Sequence, residues 1–417
     1  MNAATDPATL TRAHALLNAQ APGTRAFWFY DLDAIFERAR RMASVFARIE
    51  PRIAYALKAN GLPAIARTLR EAGLHADAGS LGELELADAC GFDAAHRTLS
   101  GNGRTPEEAA WAAEHGVAAV SADTPEELEL LEQAAAHAGA RLHVALRVNP
   151  GIVAGGHRHI ATGHSASKFG MSAAQALASW QARARWPHLL VDGVHLHVGS
   201  QIDSTEPLLA TAVAALALAA ESAGRGAPLA SINLGGGFGV DYAGDGDGLD
   251  LAGYADAIHA LPGAQSVQWC FEPGRWLVAK AGTLVAEVLW DKHRDDADGE
   301  HRFVVLAAGM NDLLRPALYG ARHRIVALGA ASGTRAAEGA PLTPADVVGP
   351  VCESSDSFAT AVLLPSLERG ALVAILDAGA YGAAMSSNYN GRGRLAEVVH
   401  LKGEIVVARA AEPARAS

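Results

Sequence analysis

Between Ile53 and Glu272 the sequence alternates, about eight times, a short apolar run with a stretch of helical spacing. The runs are Ile53–Leu57, Leu74–Ala78, Thr98–Ser100, Val117–Ser121, Leu142–Val148, Val191–Val198, Ile232–Leu234 and Val267–Phe271. Helical patterns such as Leu62–Ala72, Leu81–Cys90, Pro106–His115 and Pro125–Ala138 fall between them. Caps with early acids mark helix starts at Ser80 before Glu83, Thr105 before Glu107 and Glu108, and Thr124 before Glu126 and Glu127. Unbroken apolar strands joined by helices are parallel strands buried on both faces. Eight such units make an α/β fold of the (β/α)8 TIM-barrel type.

After Arg275 the pattern changes. Ala286–Trp290, Phe303–Leu306, Leu372–Leu376 and Glu397–Leu401 read as strands without helical spacers, interrupted by loops at Asp291–Glu300 and Gly329–Pro341. This predicts a second, C-terminal all-β domain, barrel or sandwich, which the early run Phe27–Tyr30 also joins. The expected domain plan is a barrel over residues 43–279, with residues 1–42 and 280–417 forming the discontinuous β domain. The tail Ala410–Ser417 is expected to be disordered.

Chemistry-bearing residues gather where a barrel places its active site, at the C-terminal ends of strands. Lys58, His197, Gly235 and Glu272 all fall there. In Tyr55-Ala-Leu-Lys58-Ala-Asn60 the lysine stands at the tip of an apolar run. Burial among apolar neighbours lowers a lysine pKa and frees its amine to form a Schiff base. An ordinary lysine capping a strand is the alternative that the local sequence leaves open. Matching pieces lie downstream: His195-Leu-His197-Val-Gly-Ser200-Gln201, Gly235-Gly236-Gly237, Glu272-Pro-Gly274-Arg275 and Cys352-Glu353-Ser-Ser-Asp356.

Together these pieces resemble the fold type III pyridoxal-phosphate (PLP) decarboxylases, most of all the diaminopimelate decarboxylase family. The resemblance runs from about Phe27 to about Arg392. It includes Ser100-Gly-Asn-Gly-Arg-Thr105, Thr162-Gly163 followed by Lys168-Phe-Gly170, Met310 to Gly320, Val347 to Ser354, Asp377 to Gly382 and Met385 to Arg392. One segment departs from the family pattern. Asp77, Ser80 and Glu83 are in place, but Ala78, Gly79 and Leu81 replace the usual Val, Val and Gly.

The resemblance implies PLP as cofactor, with Lys58 as the Schiff-base lysine and Glu272 beside the pyridine nitrogen. It implies Gly236, Gly237, Ser200, Gly274 and Arg275 around the phosphate, His197 against the ring, and Asp77 and Tyr381 as further cofactor contacts. His195, alternating with His197 along one strand, is expected to point the other way and to be structural. Cys352 would return a proton after CO2 leaves. Arg315, Tyr319, Glu353 and Tyr381 would hold the far end of an amino-acid substrate, and Arg275 is a second candidate for a substrate carboxylate. A distal ammonium and carboxylate together suit Glu353 and Arg315. The implied reaction is decarboxylation of meso-2,6-diaminopimelate to L-lysine and CO2, in a homodimer that shares its active sites through the Cys352 loop. Sister decarboxylases acting on ornithine, arginine, carboxynorspermidine or a carrier- or siderophore-linked amino acid are the alternatives. A racemase of the same fold type would need a catalytic tyrosine and normally lacks Cys-Glu-Ser-x-Asp. A non-catalytic relative would lack Lys58 or Cys352.

Composition narrows the partners. The 417 residues are 50% hydrophobic, enough for a large core and two domains. A formal net charge of −11 argues against nucleic acid or an anionic membrane surface. Cys90, Cys270 and Cys352 form no paired framework and no metal-ligand spacing, so no metal is expected and a reducing cytoplasm is. No basic region precedes an apolar core at the N-terminus, so no secretory signal is expected. The apolar run Leu208–Ala220 is shorter than a membrane span and reads as a packed helix.

Overall fold

The computed structural model describes residues 2–149, 151, 168–296, 299–330 and 341–413. Thr162-Gly163, residues 331–340 of the predicted loop and residues 414–417 of the tail lie outside them. The chain divides into two compact units. One comprises Phe36–Val240 and Gly246–Leu277; the other comprises Met1–Ile35, Asp241–Asp245 and Val278–Ser417.

The first strand, β1 (Ala26–Asp31), belongs to the second unit. The next eight form the barrel: β2 (Arg52–Ala56), β3 (His75–Ala78), β4 (Arg97–Leu99), β5 (Ala119–Ala122), β6 (Leu142–Arg147), β7 (Leu189–His195), β8 (Ser231–Asn233) and β9 (Gln268–Phe271). They are parallel and closed in sequence order. β9 returns to β2 through Cys270–Arg52 and Phe271–Ile53. Helices begin where the caps predict them. Ser80 Oγ accepts from Glu83 N at 3.3 Å, and Thr105 with Glu108 makes a reciprocal capping box. The helix Glu126–Ala138 has Pro125 in the cap position, while Thr124 Oγ1 accepts from Glu127 N at 3.4 Å.

The apolar stretch after Ser204 is longer than the sequence suggested. It folds as a 20-residue helix, Thr205–Gly224, long and apolar enough on those grounds to cross a membrane. It is the crossover between parallel β7 and β8, with Leu208, Ala212, Ala215 and Leu218 buried, which makes it a barrel helix.

The second unit holds a nine-stranded mixed sheet. Its later strands are β10 (Gly282–Asp296), β11 (Gly299–Leu306), β12 (Ile325–Ala330), β13 (Thr343–Val348), β14 (Ser357–Leu364), β15 (Ala371–Ile375), β16 (Ala396–Leu401) and β17 (Glu404–Arg409). The main path runs β14-β13-β11-β10-β1-β16-β17, with β15 pairing both β10 and β12. Its core gathers Leu10, Leu17, Phe27, Phe29, Val285, Leu372 and Val398.

The predicted loop Asp291–Glu300 is instead a strand hairpin. β10 continues to Asp296 and β11 begins at Gly299. Its polar composition serves an exposed ladder, where His293 Nδ1 and Glu300 Oε1 meet across the strands at 2.6 Å. At its base Arg302 clamps Asp291, Nε to Oδ1 at 2.9 Å and NH2 to Oδ2 at 2.8 Å, with both side chains buried. Strands β12, β13, β14 and β17 also went unpredicted.

Asp312, in the turn after β11, is 3% exposed. Burial pushes its carboxyl up to about 7 from 3.8, against the opposing pull of the Gly309 N–H and Arg392. Between about pH 4 and 7 the native chain therefore holds a proton that the unfolded chain has released. Stability from this group is fullest below pH 4 and falls as pH rises through 7. Asp312→Asn keeps an acceptor for the Gly309 N–H at 3.0 Å and never ionises. It is expected to gain on the order of 2–4 kcal/mol over wild type at about pH 8 and little at about pH 4. Urea midpoints at both pH values measure this, and a gap that does not widen with pH refutes it.

Candidate active site

Lys58 stands in a single tight turn, Leu57–Ala59, directly after β2. Leu57 and Ala59 are buried, but Lys58 is exposed, which corrects the expected burial of the lysine. The turn carries the side chain off the strand and into the open mouth. The Tyr55 hydroxyl donates to Asn60 O at 2.9 Å, and Asn60 Oδ1 accepts from Leu62 N at 3.0 Å. The Tyr-x-x-Lys-x-Asn pattern thus fastens its own turn.

Gly235, Gly236 and Gly237 follow β8. A methyl group at Gly236 would overlap the carbonyl oxygen of Glu272, and one at Gly237 would overlap that of Gly199. Gly237 also has φ +95°, a conformation that disfavours side chains. Glycine here lets the segment press between the extensions of β7 and β9, where Glu272 N donates to Gly235 O at 2.7 Å. Gly274 backs onto the side chains of Ala56 and Ala59. Arg275 opens a one-turn helix, and its NH2 donates to Ser200 Oγ at 2.9 Å. His197 lies two residues beyond β7, with its ring against Gly235.

Beneath this rim is a buried polar layer. Arg147, His195 and Asn233 are register partners across β6, β7 and β8 and so share a face. Asn233 Nδ2 donates to Glu272 Oε1 at 2.6 Å, and His195 Nε2 lies 3.6 Å from Glu272 Oε2. The expectation that His195 points away is therefore corrected. Residues two apart along a strand share a face, so alternation would not have separated the pair; β7 in fact ends at His195, and His197 belongs to the following loop. Burial raises the Glu272 carboxyl above its ordinary value, opposed by Lys58, the Asn233 bond and Arg147. Asp77 on β3 is pushed up to about 7 by burial and by Glu272, with Lys58, Ser100 and Arg147 pulling the other way. Burial, Arg147 and Lys58 push both His195 and His197 well below the usual histidine range. Two carboxyls and two neutral imidazoles around a few cations make a site that can hold or pass protons.

Sequence reasoning passed over Arg147, Ser121 and Asn233. A visible signal existed for the first: Arg147 ends an otherwise apolar run.

The remaining predicted residues lie in the second unit. Arg315 starts the short helix Arg315–Tyr319, which also carries Tyr319. Arg315 is buried, 2.9 Å from His323 Nε2, with its guanidinium 4.8 Å above the Tyr242 ring. Cys352 and Glu353 are exposed, and the Tyr389 hydroxyl donates to Glu353 Oε1. Tyr381 has φ +56°, an uncommon conformation for a residue with a side chain.

The rim suits pyridoxal phosphate. It offers an amine for the aldehyde, a carboxylate fixed by Asn233 for the ring nitrogen, and a glycine turn with Arg275 for the phosphate.

Residues 32–279 match the family model described as pyridoxal-dependent decarboxylase, pyridoxal binding domain. A diaminopimelate decarboxylase of Neisseria meningitidis serogroup A is 38% identical over 381 residues, spanning 91% of this chain and 90% of that protein. The diaminopimelate decarboxylase of Pseudomonas aeruginosa is 39% identical over 360 residues, 86% of this chain and 84% of that one. Among solved structures, diaminopimelate decarboxylase from Helicobacter pylori complexed with L-lysine superimposes with a TM-score of 0.86 at 33% identity. That match covers 95% of this chain and 96% of the other.

Proposed function

The chain belongs to the pyridoxal-dependent decarboxylases and, among them, to the diaminopimelate decarboxylases; from that premise we propose how its residues divide the work. It is a PLP-dependent carboxy-lyase that converts meso-2,6-diaminopimelate to L-lysine and CO2, a step of lysine biosynthesis. Lys58, Glu272 and the Gly235–Gly237 turn share one rim of one barrel, and this carries the division of roles.

Lys58 Nζ holds the cofactor aldehyde. Gly236, Gly237, Ser200, Gly274 and Arg275 line the phosphate, and the Arg275–Ser200 bond supports that pairing. His197, whose ring lies against Gly235, would stand beside the cofactor ring. Glu272 holds a proton at the ring nitrogen, and Asp77 shares its field across the mouth. What the bound cofactor supplies is a sink for the electron pair released as CO2 leaves. Cys352 Sγ then delivers a proton to the α-carbon. Tyr381 reaches cofactor and substrate. Arg315 and Tyr319 meet the distal carboxylate, and Glu353 meets the distal ammonium. Arg315 is held in place by Tyr242 and His323, and a fixed guanidinium suits the planar geometry of a carboxylate. The exposed Cys352–Glu353 loop is offered to a second copy of the chain, giving a homodimer with shared sites. The free cysteines Cys90, Cys270 and Cys352 suit a reducing cytoplasm.

Incubation with meso-diaminopimelate, ornithine and arginine in parallel is expected to release CO2 and a diamino product from the first alone, namely L-lysine. Borohydride reduction of the cofactor-loaded protein should leave the pyridoxyl mass on Lys58. Comparable turnover of ornithine, or an adduct on another lysine, refutes the assignment.

If each site draws on two chains, mixing inactive Lys58→Ala with inactive Cys352→Ala subunits should restore part of the activity, since one site per heterodimer is then intact. No recovery after verified exchange shows that each chain carries its own complete site.

Arg315→Ala should weaken use of diaminopimelate by about 2–5 kcal/mol, read in kcat/KM, because it removes the charged partner of a desolvated carboxylate. Diamino acids without that carboxylate should show no such loss. An unchanged ratio between the two substrate classes assigns the distal carboxylate elsewhere.

A further inference from the structure

His195 is 2% exposed and lies inside the barrel, away from solvent. Its Nδ1 is 2.9 Å from the hydroxyl of Ser121 on β5, which is 5% exposed. Its Nε2 is buried without a hydrogen-bond partner among the described residues and faces Glu272 Oε2 at 3.6 Å. The other Glu272 oxygen already accepts from Asn233. Around the imidazole stand Arg147 on β6, Asn233 on β8, Glu272 after β9, Lys58 after β2 and His197 beyond its own strand. Asp77 on β3 faces Glu272.

Burial and the Arg147 and Lys58 charges keep His195 neutral, so it carries one ring proton. A serine hydroxyl can donate or accept, so Ser121 tolerates either tautomer. The Glu272 carboxylate does not. A proton on Nδ1 would turn the Nε2 lone pair toward a carboxylate oxygen, which is repulsive. A proton on Nε2 gives that oxygen a donor and leaves Nδ1 to accept from Ser121.

We infer that His195 is a positioning residue: oriented by Ser121 and selected by Glu272 as its Nε2–H tautomer, it closes the 3.6 Å gap in the cofactor-loaded site to donate a second hydrogen bond to Glu272 and fixes that carboxylate toward the cofactor ring nitrogen. This rests on Glu272 being the partner of that nitrogen. Asn233 and His195 together give each oxygen of a buried carboxylate a donor, which keeps the charged form affordable in a dry site. Without His195, the proton at the ring nitrogen is held less firmly.

The experiment uses the full-length protein loaded with pyridoxal phosphate labelled with 15N in the ring, and reads the nitrogen chemical shift alongside kcat/KM. Glu272→Gln should move the resonance toward that of an unprotonated ring. His195→Phe should move it in the same direction and lower kcat/KM about tenfold or more. His195→Gln, whose amide can donate from a similar place, should restore much of both. In the double variant His195→Phe/Glu272→Gln, the histidine change should add nothing, whereas a merely structural role would be additive. If Glu272→Gln moves the resonance and His195→Phe does not, the inference about His195 is overturned alone. If Glu272→Gln leaves it unmoved, the reading of Glu272 fails first. Should His195→Phe not fold, Ser121→Ala decides: it removes the bond that orients the ring while keeping the imidazole, and an unmoved resonance there overturns the inference.

Discussion

Closure of the barrel through β2 and β9 is the constraint on which the rest of the site depends. Once Arg52 pairs with Cys270 and Ile53 with Phe271, eight parallel strands have their C-terminal ends on one rim. Residues as far apart in sequence as Lys58 and Glu272 then share a mouth without any loop having to reach across it. Adjacent strands also place register partners side by side. That is how Arg147, His195 and Asn233 become one polar layer. The chemistry is mounted on strands whose positions the apolar core dictates, and strands hold side chains more precisely than loops do.

The cost of that precision is electrostatic. Asp77, Arg147, His195 and Glu272 are each at most 8% exposed, and water screens them poorly. Such a cluster is costly in proportion to the charges left unpaired and the polar atoms left unbonded. Asn233 satisfies one Glu272 oxygen, Asp123 lies 3.8 Å from Arg147, and both histidines stay neutral. Burial raises both carboxyls, and Glu272 raises Asp77 further, to about 7. The layer therefore stands ready to take up or lose a proton near neutral pH, which a purely structural core does not require.

Most of the barrel was legible because its apolar runs report burial on both faces directly. Helix starts at Ser80 and Thr105 were legible for an equally local reason, a side chain that caps its own helix. What failed was reasoning that needed the exact end of an element. His195 and His197 stand two apart, so a strand through Val198 would have put them on one face, and β7 in any case stops at His195. Calling Lys58 buried assumed that the strand continued to it, whereas a tight turn intervenes. Polar ladders failed differently. The β10–β11 hairpin is held by cross-strand pairs such as His293 with Glu300, and composition alone cannot distinguish that from a loop. The positions of Arg315 and Glu353 could be named from the sequence, but their surroundings, the Tyr242 ring and the Tyr389 hydroxyl, come from distant segments that no local pattern reveals.

The second unit solves its own positioning problem with the same two devices, a buried carboxylate and glycines beside it. Asp356 is 5% exposed, and its two oxygens accept from Met310 N and Val351 N, each at 2.6 Å. Gly309 and Gly349 pack directly against that carboxylate, and a methyl group at Gly349 would overlap it. One side chain thereby pins together the segment leading to Arg315 and the loop carrying Cys352 and Glu353. Asp356 closes the Cys-Glu-Ser-Ser-Asp motif, and its place there follows from geometry. A loop whose tip must remain exposed has few apolar contacts to hold its shape. A carboxylate bonded to backbone N–H groups at its base can hold it while leaving Cys352 and Glu353 at the surface. On this view the last acidic residue of the motif sets the loop's shape and leaves the pair before it free to reach outward from the surface.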